Sequence, residues 1–224
     1  MLVSIVIPVL NEAQVIRTTA AVLNGLRGHC EILVVDGGST DDTVSLATSN
    51  GLPVIVASRG RGPQMNAGAA AAKGNALLFL HADTRLPEDA LILIESALQA
   101  PDVSGGNFKL QFAGQTFGSQ FLTRVYPLLR WLGLVYGDSA IFVRRDVFEE
   151  VGGYRAIPLF EDCDLYRRLR KKGRFICLSG IAVTSPRRFE GHFWRTFGLW
   201  VLLQILYWIG VNPRSLGRLY RVAR

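Results

Sequence analysis

The polarity pattern of the chain changes character about midway. Four short apolar runs, at residues 2–9, 32–35, 53–57 and 76–80, alternate with stretches of helical period reaching 26, following 39–42, and covering 63–73 and 87–100. Short β-branched runs of this kind are strands buried on both faces, and their alternation with helices predicts a mostly parallel sheet wrapped by helices, an α/β fold. The helix starts have local causes. Asn11 is placed to cap the first helix, and Ser39-Thr40-Asp41-Asp42 opens the second with acids at its positive end. Pro63 and Pro87 stand where the third and fourth begin.

Beyond residue 100 the pattern is less regular. Residues 103–112 alternate as a longer strand crossing the sheet edge, 117–135 form an apolar helix interrupted by Arg124 and Arg130, and 139–143 read as a strand. A short helix at 146–151 ends at Gly152-Gly153, a charged helix at 162–172 stops at Gly173, and 175–178 is a further strand. No repeat or low-complexity linker marks a boundary. The expected organisation is one domain, residues 1–188, and a C-terminal helical appendage, 189–224, that is both apolar and basic.

Within the appendage, 196–211 is apolar except for glycine and Gln204, and holds Trp200, Tyr207 and Trp208. It is shorter than the roughly 20 residues that a spanning helix needs. A helix packed on the domain, a helix lying in a membrane interface and a tilted insertion all fit. The aromatics, the basic tail 214–224 and the equally oily 117–135 favour the interfacial one.

Composition sharpens this picture. The chain has 224 residues, 49% hydrophobic and 19% charged, with a net charge of +7, and its mean hydropathy of +0.24 and pI near 9.7 are high. A basic, oily chain suits an anionic partner: nucleotide phosphates, nucleic acid or an acidic membrane. Nucleic-acid binding calls for basic residues interleaved with exposed aromatics on one face. The C-terminal run suits a membrane better, so no nucleic-acid partner is expected. Cys30, Cys163 and Cys177 fit neither a zinc site nor a disulfide framework, and read as reduced thiols of a cytoplasmic protein. The first strand follows Met1 with no basic segment before it, so no secretory signal is expected. The expected location is cytoplasmic, peripheral at the inner face of the cytoplasmic membrane.

The chemistry gathers at strand exits, where ligands of open α/β sheets sit. His81-Ala82-Asp83-Thr84 leaves the run 76–80, and an aspartate there can hold Mg2+ or Mn2+, which in turn holds a diphosphate. His81, two residues from Asp83, points the same way and is a substrate contact or a further ligand. His192 is the other histidine that reaches toward metal or diphosphate, set against the plainer reading of a partly exposed histidine. Pro8, Asn11 and Glu12 leave the first strand and Asp36-Gly37-Gly38-Ser39 the second. There Asp36 can accept from a base N–H and Glu12 can reach a ribose hydroxyl.

Arg59 to Gly68 is rich in glycine and arginine, with Arg61, Gln64 and Asn66 inside it, and suits an oxyanion. It is no dinucleotide fingerprint, because Met65 replaces the third glycine, and no P-loop, because Gly-Lys-Ser/Thr is missing. Gly137-Asp138 precedes a strand. Glu161-Asp162 opens a helix, where the dipole stabilises carboxylates in any case. Beside Cys163 and Asp164 the pair also concentrates negative charge, as a general base requires.

Taken in order, Pro8…Asn11-Glu12, Asp36-Gly37-Gly38-Ser39-Thr40-Asp41-Asp42-Thr43, Gly62…Asn66-x-Gly68, His81-Ala82-Asp83, Gly137-Asp138…Phe142-x-x-Arg145…Gly152-Gly153-Tyr154 and Glu161-Asp162 resemble glycosyltransferase family 2, in its small single-domain bacterial form. The likeness covers roughly residues 1–180. It implies a GT-A fold, a nucleotide-diphosphate sugar donor with UDP favoured, Mg2+ or Mn2+, and inversion by one in-line displacement onto a hydroxyl acceptor. It implies Asp83 as metal ligand, with His81 or His192 beside it, and Asp162 with Glu161 as the catalytic carboxylates. Glu12 and Asp36 become ribose and base contacts, and Arg61 a diphosphate contact. Pro8, Asn11, Gly38, Arg59, Gln64, Asn66, His81, Ala82, Gly137 and Asp138 join them as donor-binding candidates.

Two departures stand out. His81 replaces the first aspartate of the family's Asp-x-Asp motif. The Gln-x-x-Arg-Trp motif of processive synthases is absent, with Thr184-Ser185-Pro186-Arg187-Arg188-Phe189 in its region. Transfer of one sugar is therefore expected, to an acceptor that is lipid-linked or presented at a membrane. A sugar-1-phosphate nucleotidyltransferase is the alternative enzyme, though it would carry a basic glycine-rich loop where Pro8-Val9-Leu10-Asn11-Glu12 stands. A non-catalytic nucleotide- or membrane-binding protein is the other.

Overall fold

The computed structural model describes residues 1–189 and 191–223. Its strands are β1 (Val3–Val9), β2 (Cys30–Asp36), β3 (Val54–Val56), β4 (Ala76–Phe79), β5 (Thr84–Arg85), β6 (Val103–Phe112), β7 (Ile141–Arg144) and β8 (Arg174–Thr184). Between and after them run α1 (Ala13–Asn24), α2 (Thr43–Ser49), α3 (Arg61–Ala71), α4 (Ala90–Leu98), α5 (Phe117–Trp131), α6 (Arg145–Glu150), α7 (Glu161–Leu169), α8 (Phe193–Trp208) and α9 (Pro213–Ala223). The strands form one sheet in the order β3-β2-β1-β4-β7-β6-β8-β5. β7 and β5 run against their neighbours, so β1, β2, β3, β4, β6 and β8 all point the same way. Their carboxyl ends share one edge.

The sheet is covered on both faces, as the unbroken apolar strands require. Ile5 and Ile7 of β1 enter the larger core with Ile16, Ala20 and Leu23 of α1 and Leu91 and Ile94 of α4. Val6, between them, faces the other way onto Met65 and Ala69 of α3 and Leu165 and Leu169 of α7. Gly68 lets α3 lie against the sheet, because a Cβ there would run into Val6 and stand 2.9 Å from Val35.

Several local expectations are corrected. Asn11 does not cap α1. The cap position is Glu12, and Asn11 takes the left-handed conformation (φ 56°), with its Oδ1 accepting from the Thr40 N–H at 2.8 Å. The polar run 39–42 leads into α2 with Asp42 at the cap position, but its acids are not in the first turn, since α2 starts at Thr43. Its side chains turn across to the first strand exit instead. Ser39 Oγ, Thr43 Oγ1 and Asp41 Oδ2 accept from the backbone N–H groups of Asn11, Glu12 and Ala13, which have no partner within α1.

α3 starts at Arg61, with Pro63 in its first turn, and α4 starts only at Ala90. β6 lies inside the sheet rather than at its edge. β8 is far longer than 175–178, because its pairing with β6 slips between Phe108–Leu178 and Lys109–Ile181. Ser179-Gly180 falls in the slip and breaks the apolar pattern.

At the C-terminus, α8 and α9 pack on the domain through Leu203 and Leu216, against Leu134, Phe160 and Cys163. Gln204, the polar break in the apolar run, is buried and its Oε1 accepts from the Tyr136 hydroxyl at 2.8 Å. Among the described residues no helix is long and apolar enough to cross a membrane. Arg224 of the basic tail lies outside the described residues.

Candidate active site

The shared edge brings the sequence-predicted acids together, each on a different element. Three non-glycine residues with left-handed backbones, Asn11, Ala140 and Phe160, flank it after β1, before β7 and before α7. Such conformations cost about 1–3 kcal/mol each and gather at functional sites.

At the β1 and β2 exits the side chains mostly shape the loop. Both Asp36 oxygens accept from the Ser39 N–H, and Oδ2 also from Gly38 at 2.9 Å, so the buried carboxylate closes its own turn. Gly38 adopts φ 92° there, with nothing within 4 Å of the Cβ it lacks. Gln64 is buried and donates to the Val9 and Val35 carbonyls, locking β1 to β2 beside the half-buried Pro8. Asn66 exchanges two hydrogen bonds, both 2.8 Å, with the Tyr154 backbone. Arg59 is exposed.

The β4 exit carries the charged part. His81 is buried, and Nδ1 lies 2.7 Å from Asp138 Oδ1. Against burial, which would raise it, the hydrogen bond and charge of His81, together with Arg188 and Arg61, hold the Asp138 carboxyl well below the usual range. A carboxylate only accepts, so Nδ1 carries the proton. Nε2 is left buried and without a partner. This is the arrangement of an imidazole oriented by an acid for use at its other nitrogen. Ala82 is buried, its carbonyl accepting from Thr19. Asp83 Oδ2 pairs with Arg187 Nε at 2.9 Å, and the same guanidinium donates to Glu12 Oε1 at 2.7 Å. Glu12 Oε2 is buried and unpartnered.

Glu161 and Asp162 open α7, whose first turn holds three acids and whose last turn holds Arg167 and Arg168, both in accord with its dipole. Asp162 is buried. Its Oδ2 accepts from the Gly137 N–H at 2.9 Å, Oδ1 is left without a hydrogen bond, and the buried Tyr154 hydroxyl is a neighbour of the carboxylate. Gly137 must be glycine, since a Cβ would come within 2.6 Å of His81 Nε2 and 2.8 Å of Asp162 Oδ2. Those distances bring the imidazole and the carboxylate together where the missing Gly137 side chain would stand.

Glu161 lies 3.6 Å from Arg61. Burial first and the Asp162 charge second push it up to about 7, against the pull of Arg61. A raised carboxyl pKa stabilises the fold most below the unfolded value of 4.5, and that contribution is lost as pH rises through about 7. Glu161→Gln removes the penalty at the cost of a weak, half-exposed pairing with Arg61. The variant is expected to be more stable than the parent at pH 8, by about 1–3 kcal/mol, and no more stable at pH 4. Thermal melts across that range check it; a constant difference would show that Glu161 does not titrate there.

No three His, Cys, Asp or Glu side chains gather as a preformed metal cage among the described residues. His192 stands exposed at the cap of α8.

Sequence reasoning gave no role to Arg187 and Arg188, which the structure brings to this edge. The Arg61 charge first and burial second lower the Arg188 pKa, while Asp138 and Asp83 oppose them. The usable signal is that both follow the carboxyl end of a parallel strand, β8, as His81 and Asp83 follow β4.

The family model for glycosyl transferase family 2 matches residues 4–152, from β1 into α6 and the Gly152 that follows it. The chain belongs to glycosyl transferase family 2. It is 32% identical over 164 residues to the PGL/p-HBAD biosynthesis glycosyltransferase of Mycobacterium bovis, covering 67% of this chain and 62% of that one. Similar solved structures include the Pyrobaculum calidifontis mannosyltransferase PcManGT in complex with GDP-Man and Mn2+ (TM-score 0.71, 21% identity, 90% of this chain and 62% of that). Another is S. aureus TarS in complex with UDP-GlcNAc (0.66, 16% identity, 92% and 67%).

This likeness bears out the expected GT-A α/β architecture with its mostly parallel sheet. The chain spans 52–62% of the length of the curated relatives it matches. The family match ends at 152, so Asp162, Arg187 and Arg188 lie beyond it.

Proposed function

We propose that this family 2 chain is an inverting glycosyltransferase that moves one sugar from a nucleoside-diphosphate donor, UDP favoured, to a hydroxyl acceptor. The observation that carries the reading is Asp162: a buried carboxylate pinned through one oxygen by a backbone N–H, its other oxygen buried and unpartnered. Such an oxygen is placed to take the acceptor's proton as the hydroxyl attacks the anomeric carbon. Attack from the side opposite the leaving group inverts that carbon. Glu12 and the Asp36 turn lie where the nucleoside would sit, and Arg61, Arg187 and Arg188 supply cations for the departing diphosphate.

The side chains fit a divalent cation held jointly with the donor. Asp83 offers a carboxylate at the β4 exit, His81 has a free, buried Nε2 that lies beside Gly137 and Asp162, and diphosphate oxygens commonly complete a site of this kind. The mixed oxygen and nitrogen set favours Mn2+ over Mg2+. When bound, the metal would offset diphosphate charge; Arg187, now on Asp83, would yield to it. The acceptor is lipid-linked or presented at a membrane, with the protein peripheral at the inner face of the cytoplasmic membrane.

Calorimetric titration with UDP, GDP and CDP, each with and without Mn2+, tests the donor site. Binding of one nucleotide, strengthened by Mn2+, is the expected result, and that nucleotide fixes the donor class. If folded protein binds none of the three, this reading is wrong.

A further inference from the structure

The large apolar side chains left exposed are not scattered. Among the described residues, all but Val56, Ile92 and Ile181 stand on α5 with the Leu132 that caps it, on α8 with the Ile209 that caps it, and on α9. Their spacing draws two rows. On α5, Phe117, Leu128, Trp131 and Leu132 fall at i, i+11, i+14 and i+15, which is one face of a helix. On α8, Trp194, Leu202, Ile205, Trp208 and Ile209 fall at i, i+8, i+11, i+14 and i+15, the same face pattern.

The helices run side by side in the same direction. Phe117 and Trp194 lie 5.8 Å apart between ring centroids and Phe121 and Phe197 5.3 Å, while farther along Leu129 and Leu134 share a cluster with Leu199, Leu203 and Leu206. Each row is about 20 Å long at 1.5 Å per residue. Trp131 is 79% exposed and Ile209 71%.

Charge decides what such a surface meets. No Asp or Glu occurs at 113–137 or 191–224, while exposed Arg124, Arg195, Arg214 and Arg218 stand on α5, α8 and α9. A second copy would bring like charge to like charge. An anionic lipid surface takes both the apolar rows and the arginines, with tryptophan at the depth that it favours.

The rows begin beside the active site. A cleft of about 290 Å3 at the start of α5 is lined by Phe117, Ser119, Pro186, Phe189, Phe193 and Trp194. Its wall is the loop that carries Arg187 and Arg188.

We propose that α5 and α8 form a plate that docks on an anionic bilayer, with the cleft at its near end taking the apolar part of an amphiphilic acceptor. The acceptor class rests on the transfer reading above; the docking does not. The test is flotation of the full chain with vesicles of equal parts phosphatidylglycerol and phosphatidylcholine, and with phosphatidylcholine alone.

The parent chain is expected to float with the anionic vesicles and to be weakened by salt. Trp131→Glu with Trp208→Glu, neither of which contacts a donor-site or acid residue among the described residues, should weaken vesicle binding by at least about tenfold with nucleotide binding unchanged. Arg214→Gln with Arg218→Gln should weaken only the anionic case. Failure of the parent to float, equal flotation of the tryptophan variant, or a dimer that this variant dissolves without any vesicle binding would each overturn the docking. Flotation as expected with no nucleotide bound would leave the plate standing and remove the transfer reading.

Discussion

Asp162→Asn is expected to lower kcat by about 10²–10⁴-fold, the range for removing a general base, with nucleotide affinity within about twofold of the parent. The asymmetry follows from the two carboxylate oxygens. Asn can still accept the Gly137 N–H through its carbonyl, so the turn that also seats His81 is kept. The oxygen that has no partner is replaced by an amide nitrogen, which cannot take a proton from the acceptor. On the proposed reading nucleotide binding draws on Glu12, the Asp36 turn and the arginines, none of which hydrogen-bonds to that oxygen. Glu161→Gln is the control, because Glu161 faces Arg61 and is raised toward neutrality by burial and by Asp162. Its loss should cost less than that of Asp162. Single-turnover transfer assays beside calorimetry separate the cases. Transfer at the parent's rate by Asp162→Asn would remove the residue from the chemistry.

The parallel half of the sheet was legible because β1 and β4 are buried on both faces, and they and the core of β2 read as apolar runs. His81, Asp83, Glu161 and Asp162 could be singled out because they follow such runs or open a charged helix. What stayed hidden depended on contacts distant in sequence. Asn11, Ser39, Asp41 and Thr43 are cap-forming residue types, yet they cap across 28–31 residues rather than locally. The extension of β8 was masked by the slip at Ser179-Gly180, and with it the reason for Arg187 and Arg188 to reach the site. Gln64 and Asn66 read as ligand contacts in a glycine-rich loop, but their amides bind backbone, which a sequence pattern does not distinguish from binding a ligand. The late arginines also part company in the fold: Arg187 reaches Asp83 and Glu12 at the strand edge, while Arg195, Arg214 and Arg218 stand exposed on α8 and α9.

Asp83→Ala is the second large effect, and its sign depends on what accompanies the nucleotide. With Mn2+ present, UDP affinity is expected to fall by about 10–100-fold, since weakening the support of a ligand already costs that much in metal affinity. Without metal, affinity should hold or rise. In the parent chain Arg187 divides its guanidinium between Asp83 at 2.9 Å and Glu12 at 2.7 Å. Removing Asp83 frees the Nε side of that fork for a diphosphate oxygen, with Glu12 still anchoring the other. The variant should therefore bind nucleotide with little dependence on Mn2+, which calorimetry with and without the metal reads directly. A variant that kept the parent's full Mn2+ dependence would place the metal elsewhere. It would leave Asp83 as the partner of Arg187 alone.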